Sequence, residues 1–309
     1  MNKKAIYLFC VFCLILQPLR AQMVYSKEPE PIIRVFELIY QYRFEEAEIR
    51  LNAIKPEEAD PNLIDLTRVN LHWWYLISGD SSRDHEEILT ELLESMILPF
   101  HGRSPSQLAP DDVFMLVHAH AYRTRVHIYG KRYIKGALVL RQMTDYLDHA
   151  IQRYNQFDKY AFLAGLYNYF AASAYDYYPL LRSFFALAPK HDKELGYRLL
   201  NDSRRLDHLL LRTEATYFLM KINLELEEDY PRASEFASHL IQQYPENPIY
   251  LLHLLMIQVN QNRIEEARKS YQTIMAISAV KPGLTQSQRL HIVREAERYL
   301  SRKKITLFI

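Results

Sequence analysis

The sequence predicts an all-α protein, an α-solenoid of stacked helix-turn-helix units. Three observations predict it. From Ile32 onward, apolar residues recur at three- and four-residue steps, the period of amphipathic helices. Only 7 glycines occur in 309 residues, few for a phosphate-cradling fold and ordinary for a helical one. Near the C-terminus two segments keep a common interval of 34 residues, from Tyr230 to Ile264 and from Ala233 to Ala267.

Before the helices comes a short basic and apolar start. Lys3 and Lys4 precede the apolar run Ala5 to Leu16, Pro18 ends it, and "LRAQ" offers a cut after Ala21. The run has the length of a secretory signal and is short for a membrane span. The expectation is a signal peptide over 1–21, followed by one helical domain over 22–309 in the periplasm or cell envelope. Cleavage removes Cys10 and Cys13, the only cysteines, so the mature chain would carry no disulfide and no thiolate chemistry. Cleavage also moves the formal net charge from +1 to −2, because Lys3, Lys4 and Arg20 leave with it. Such a chain has no electrostatic case for nucleic acid. No second long apolar run follows, so no stable membrane span is expected after cleavage.

The helices then follow in order. Ile32, Val35, Phe36 and Ile39 mark one apolar stripe; Phe44, Ala47, Leu51 and Ile54 mark the next, before the breakers Pro56 and Pro61. Leu63 to Ile77 carries Trp73 and Trp74, about 100° apart on a helix, so only one of them can be central to the core. "SGDSSRD" is a turn with Ser81 and Asp84 at capping-box spacing, and Glu86 to Ile97 is the helix after it. A polar connector, "PFHGRSPSQLAPDD", brings Asp111 or Asp112 to cap the next helix. Phe114 to Tyr129 and Tyr133 to Tyr154 form two long helical patterns around "GKR".

The stretch "AGLYNYFAASAYDYYPLLRSFFALAPKHDKELG" reads first as helix-pair packing. Gly165 permits close helix approach, Phe170 is expected inside the packing, and Gly196 stands like the small residue of a repeat. Tyr169, Tyr175 and Tyr177 are left either for a Tyr-lined recognition patch or for further packing, since tyrosine joins a rigid apolar body to a polar tip.

Two-helix units are clearest over 214–247 and 248–281. In the first, Tyr217, Met220, Lys221 and Leu224 lie on the leading helix, and Tyr230, Ala233, Ala237 and Leu240 on the second, before Pro245. In the second, Leu251, Leu254 and Leu255 precede Ile264, Ala267 and Tyr271. Phe44 with Ala47, and Tyr133 with Gly136, keep the same bulky-then-small spacing upstream. These residues are expected to pack the helix crossings, where a larger side chain at the small position would force the helices apart. A helix over 285–300, with Thr285 and Gln288 at capping-box spacing, closes the array, and "ITLFI" is expected to pack back over its end.

This pattern resembles the tetratricopeptide repeat. Lys221 and Leu255 depart from it, standing where that motif favours a small residue. Gly165, Tyr167, Tyr169, Leu187, Pro189, Asp192, Lys193 and Gly196 are similar to a pattern of a divergent bacterial branch of such repeat proteins. The resemblance implies a right-handed superhelix and a curved inner surface made by the leading helices. Candidate partner-binding residues on that surface are Tyr217, Lys221, Leu255 and Gln258.

Chemistry is expected to be absent. His118 and His120 lie about 200° apart on a helix, and His120 and His127 are separated by about 10 Å of axis with Thr124 between them. "HEEILTELLE" places Leu89 where a metallopeptidase needs its second histidine. Asp176, His191 and Asp192 have no serine elbow or glycine-rich loop to complete an acid–base group. No catalytic residue, metal or cofactor is therefore expected. The basic group Arg123, Arg125, Lys131, Arg132 and Lys135 suits an acidic partner or a solvated helix face. The function expected is a non-catalytic scaffold binding a protein or peptide partner. A glycan- or small-ligand-binding module with an aromatic cleft around Trp73, Trp74 and Tyr167 to Tyr178 is the alternative, and an enzyme stands behind both.

Overall fold

The structure is a computed structural model and describes residue 23, residues 27–177 and 191–303, and residue 305, with side chains at 174–177 excluded. The signal segment, the side chains of Tyr175 and Tyr177, and all of "ITLFI" except Ile305 lie outside the described residues.

Fourteen α-helices account for the fold among these residues. They are α1 Glu30–Tyr40, α2 Phe44–Asn52, α3 Pro61–Ile77, α4 His85–Ile97, α5 Pro110–Tyr129, α6 Tyr133–Gln142, α7 Thr144–Ile151, α8 Asp158–Tyr177, α9 Lys193–Ser203, α10 Leu209–Glu225, α11 Tyr230–Gln243, α12 Pro248–Asn260, α13 Ile264–Val280 and α14 Gln286–Arg302. Each helix packs on its sequence neighbour, most closely α8 on α9, α10 on α11 and α12 on α13. Proline in the first turn starts α1, α3, α5, α11 and α12, where its missing N–H leaves no intrahelical bond unmade. Asp60, Asp84, Asp192, Asp229, Asn247 and Thr285 cap their helices by accepting first-turn backbone N–H groups. The cap of α4 is thus Asp84 and not Ser81. Asp111 and Asp112 lie inside the first turn of α5, behind Ala109. The expected single helix from Tyr133 to Tyr154 breaks at Met143 and ends at Ile151.

Four hairpins place a left-handed residue alike, and three of them share one closure. A residue in the left-handed region stands two positions before the second helix: Tyr42 before Phe44, Lys131 before Tyr133, Glu228 before Tyr230 and Asn262 before Ile264. In three of them the next residue's N–H reaches back five positions: Arg43 to Leu38 at 2.9 Å, Arg132 to His127 at 2.7 Å, and Arg263 to Gln258 at 2.8 Å. This is the Schellman closure, which satisfies carbonyls the helix end would otherwise orphan. The likeness extends to side chains. In "QYRFEEA" Arg43 Nε donates to Glu46, and in "QNRIEEA" Arg263 Nε donates to Glu266, both at 2.7 Å.

Small residues set the crossings. Ala47, Ala233 and Ala267 are fully buried, and so is Gly136 among its neighbours. A Cβ on Gly196 would lie 2.4 Å from Tyr169 N and 2.9 Å from Gly165 O; one on Gly165 would meet Leu200 at 3.1 Å. The two glycines therefore bring α8 and α9 together backbone to backbone. Phe44 is buried, while Tyr230 and Ile264 are half-buried.

Several expectations about burial are corrected. Tyr133 is 65 % exposed. The packed face of α6 is Gly136 and Val139, and Tyr133 stands about a quarter turn from it. Tyr169 and Phe170 exchange places: Tyr169 is 1 % exposed and Phe170 37 %. The reason is the glycine contact, because Tyr169 follows Gly165 by four residues and so shares the α9-facing row, about 100° from Phe170. Leu255 and Gln258 are buried too. Gln258 Oε1 accepts from Ser270 Oγ of α13 at 2.8 Å, so this row of α12 faces its own hairpin partner and not an inner surface.

The two ends of the array are joined. Asn247 Nδ2 donates to Tyr40 O at 2.9 Å, Gln288 Nε2 to Ser78 Oγ at 2.9 Å, and Thr285 Oγ1 to Asp80 Oδ1 at 3.0 Å. Buried Glu28 accepts from the N–H groups of Leu209 and Leu210 and lies 3.0 Å from His208 Nδ1, serving as a carboxylate at the N-terminus of α10. Tyr40 packs on Tyr244 at 5.4 Å, and Trp74 on Tyr250 at 6.0 Å. Of the adjacent tryptophans, Trp74 is the core residue and Trp73 is half-buried. Helices α1 and α3 thus cover much of the surface that the leading helices α10 and α12 were expected to present.

Candidate functional site

What remains open on the leading helices is a strip over α3, α5, α8 and α10. The apolar period of α10 places Leu211, Ala215 and Leu219 in the core and leaves Glu214, Tyr217, Phe218 and Lys221 half-buried on its other face. Phe170 of α8 meets Phe218 edge to face, with centroids 5.9 Å apart. Tyr217 adjoins Phe218 at 6.3 Å and crosses His253 of α12 at 5.4 Å. On the far side, Trp73 packs edge-on to Tyr122 at 6.1 Å and to Tyr129 at 6.4 Å.

Arg125 lies at the centre. Its guanidinium is 4.9 Å from the Tyr122 ring centre, 5.2 Å from Phe218 and 6.0 Å from Trp73. These rings hold the cation through their faces. Arg125 makes no ion pair among the described residues, and a guanidinium has five N–H donors to offer a planar anion. Below it, His118, Phe162, Leu210 and Glu214 help to line a cavity of about 30 Å³, room for about one water. Burial lifts the Glu214 carboxyl above its ordinary range, and Arg125 offsets part of that. Burial drives His118 down to about 3, against the hydrogen bond of its Nδ1 to Phe114 O. It is neutral at neutral pH and competes for no anion. Lys221 stands one turn along α10 from Tyr217. Burial opposes its charge, yet Tyr217 and Glu225, the latter 3.3 Å away, hold its pKa above the ordinary value.

Of the residues expected to bind a partner, the structure brings Tyr217 and Lys221 into this strip and removes Tyr169, Leu255 and Gln258 from it. Tyr169 instead donates its hydroxyl to Glu227, which also pairs with Lys193 at 2.6 Å. Tyr175 and Tyr177 fall among the undescribed side chains. Phe218 and Glu214 were missed as members of the strip, Trp73 was expected only in the ligand-binding alternative, and Phe170 was assigned to the core. The available signal was Tyr122 and Arg125, three apart on a helix, a spacing that stacks side chains on one face. The basic group of the sequence divides: Arg123 pairs with Glu94, Arg132 with Glu86, and Arg125 joins the rings.

A second polar cluster was not foreseen. Asp80 accepts from His85 Nε2 at 2.8 Å, which leaves His85 Nδ1 to accept from His72 Nδ1 at 2.9 Å. Asp80 also accepts from Ser82 Oγ at 2.6 Å and from Thr285. Burial works to raise the Asp80 pKa, and these donors outweigh it and lower it. Burial, then His85, pushes His72 down to about 4. Ser82 gives its proton to the carboxylate and not to a histidine, so the chain of three ends on no nucleophile. Its evident work is to tie the α3–α4 turn to α14. No group of three or more His, Cys, Asp or Glu side chains among the described residues is placed to hold a metal ion.

Among the described residues, fold and strip together define a class: an all-helical protein of stacked hairpins whose ends are joined and whose leading helices carry an aromatic, cationic strip. Comparison with family models, with curated proteins and with solved structures found no match.

Proposed function

We propose that this chain is a non-catalytic scaffold of the tetratricopeptide-like kind, exported to the periplasm or cell envelope, that binds a protein or peptide partner in the groove of α10. The observation that carries the reading is Arg125, held over three rings with no ion pair at contact distance among the described residues and only the buried, raised carboxyl of Glu214 near it, beside half-exposed Phe170 and Phe218. Aromatic anchors beside an arginine are the composition of interface hot spots. The partner supplies an apolar side chain to the Phe170–Phe218 pair and a carboxylate to Arg125. The left-handed residue common to four hairpins, with one closure in three of them, supports the repeat reading, and the basic and apolar start supports export.

The test compares Phe170→Ser and Arg125→Gln with the parent for partner retention and thermal melting. Each is expected to weaken retention by about tenfold or more. Phe170→Ser should leave the melt within a few degrees. Retention unchanged in both variants refutes the groove.

A further inference from the structure

Helix α6 is covered on one side only. Gly136 and Val139 face α5, and the opposite side is apolar as well. Ile134 is 81 % exposed, more than any other large apolar side chain among the described residues. Leu138, one turn on, is 57 % exposed, and Tyr133 beside them 65 %. Ile128, at the end of α5, adds a further 48 % exposed side chain at the flank. An outward row at i and i+4 is a helix face without a partner.

Cations rim this face. Lys131, Lys135 and Arg141 are exposed and form no ion pair among the described residues. The neighbouring acids are Glu86, which pairs with Arg132 at 2.5 Å, and Asp145 at the start of α7. Arg141 follows Leu138 by three residues on the same outward row. Exposed apolar side chains on one helix face, with long cationic chains around them, match the boundary between headgroups and acyl chains of an anionic bilayer.

We propose that the outer face of α6 docks the protein peripherally on a membrane surface rich in anionic phospholipid. Ile134 and Leu138 enter the headgroup boundary, Tyr133 takes the interfacial position its polar tip suits, and Lys131, Lys135 and Arg141 meet phosphates. No helix among the described residues is long and apolar enough to cross a membrane, so the contact is lateral. A second copy of the chain fits the face poorly, because a two-fold contact would set the three cations against themselves. Lipid is favoured over a protein partner because three unpaired cations and the exposed Ile134 and Leu138 share one side of a short helix, the pairing that phosphates over acyl chains offer. This inference rests on α6 and is independent of the groove.

The test is co-sedimentation of the mature protein with vesicles of phosphatidylcholine alone and of phosphatidylcholine with phosphatidylglycerol. Each cation near an anionic surface is worth about fivefold in partitioning, so the anionic vesicles should be preferred by about a hundredfold. Raising the salt concentration should erase that preference. Ile134→Asp with Leu138→Asp should abolish binding. Lys131→Gln with Lys135→Gln and Arg141→Gln, which alters no packed side chain, should remove the preference while the melt stays that of the parent. Equal partitioning to both vesicles overturns the proposal, and so does unchanged binding by the glutamine variant. Absence of vesicle binding, with the same variants instead losing an acidic protein or a self-associated state, overturns it in favour of a protein surface. Loss of partner capture by Phe170→Ser has no bearing on these outcomes.

Discussion

Neighbouring residues on α8 have opposite fates: the sequence placed Phe170 inside the packing and left Tyr169 between packing and recognition. Aromatic spacing cannot show which row of a helix meets a glycine on the next one. Here Gly196 sits against the backbone of Tyr169, so the tyrosine is buried and Phe170 is left in the groove. Tyr169→Ala should cost about 3–5 kcal/mol of stability, and Phe170→Ala about 1 kcal/mol, both read from chemical denaturation. Equal losses would contradict the assignment. Gly196→Ala should destabilise by about 1–3 kcal/mol or more, because its Cβ would lie 2.4 Å from a backbone nitrogen that no rotamer can move. Gly102, with nothing within 4 Å but a φ of +77°, is the control in which only backbone strain is felt.

At the scale of the element, helix periods and small crossing residues were legible, because both are local. Ala233 and Ala267 are fully buried at equivalent places in hairpins α10–α11 and α12–α13. Ala233→Leu or Ala267→Leu should lower stability by about 1–3 kcal/mol through overpacking, measured by thermal melts. The left-handed position common to four hairpins was hidden, because its residue is Tyr, Lys, Glu or Asn and never the glycine that would announce it. Which row of a leading helix stays open was hidden as well. Leu255 and Gln258 have the right spacing for an inner face, yet both are buried, and Ser270 of α13 holds Gln258. At Glu28 one distant carboxylate serves the start of α10, and Glu28→Gln should destabilise by about 1 kcal/mol by weakening that charge–dipole contact.

For the molecule as a whole, the sequence could not show that the ends meet, since those contacts join residues some 200 positions apart, such as Asn247 with Tyr40. The buried histidines give this closed core a pH signature. His72, His120 and His253 are driven down to about 4, in each case first by burial, and His118 to about 3. Depressed values mean neutral rings in the fold and protonation in the unfolded chain first. Their stability contribution is complete above about pH 6.5 and is lost as pH falls toward 4. Asp80, also depressed, adds the same sign at lower pH. Urea denaturation should show stability falling from pH 7 to pH 4.5, by up to about 2 kcal/mol for each ring so depressed, and His120→Met should remove its share of the slope. The groove is the central claim, and site-specific photocrosslinking in intact envelopes tests it most directly. A photoreactive residue at Phe170 should give one discrete adduct, which Arg125→Gln suppresses and which the same label at exposed Glu57 does not give. No adduct at Phe170, or the same adducts from both positions, would contradict the account.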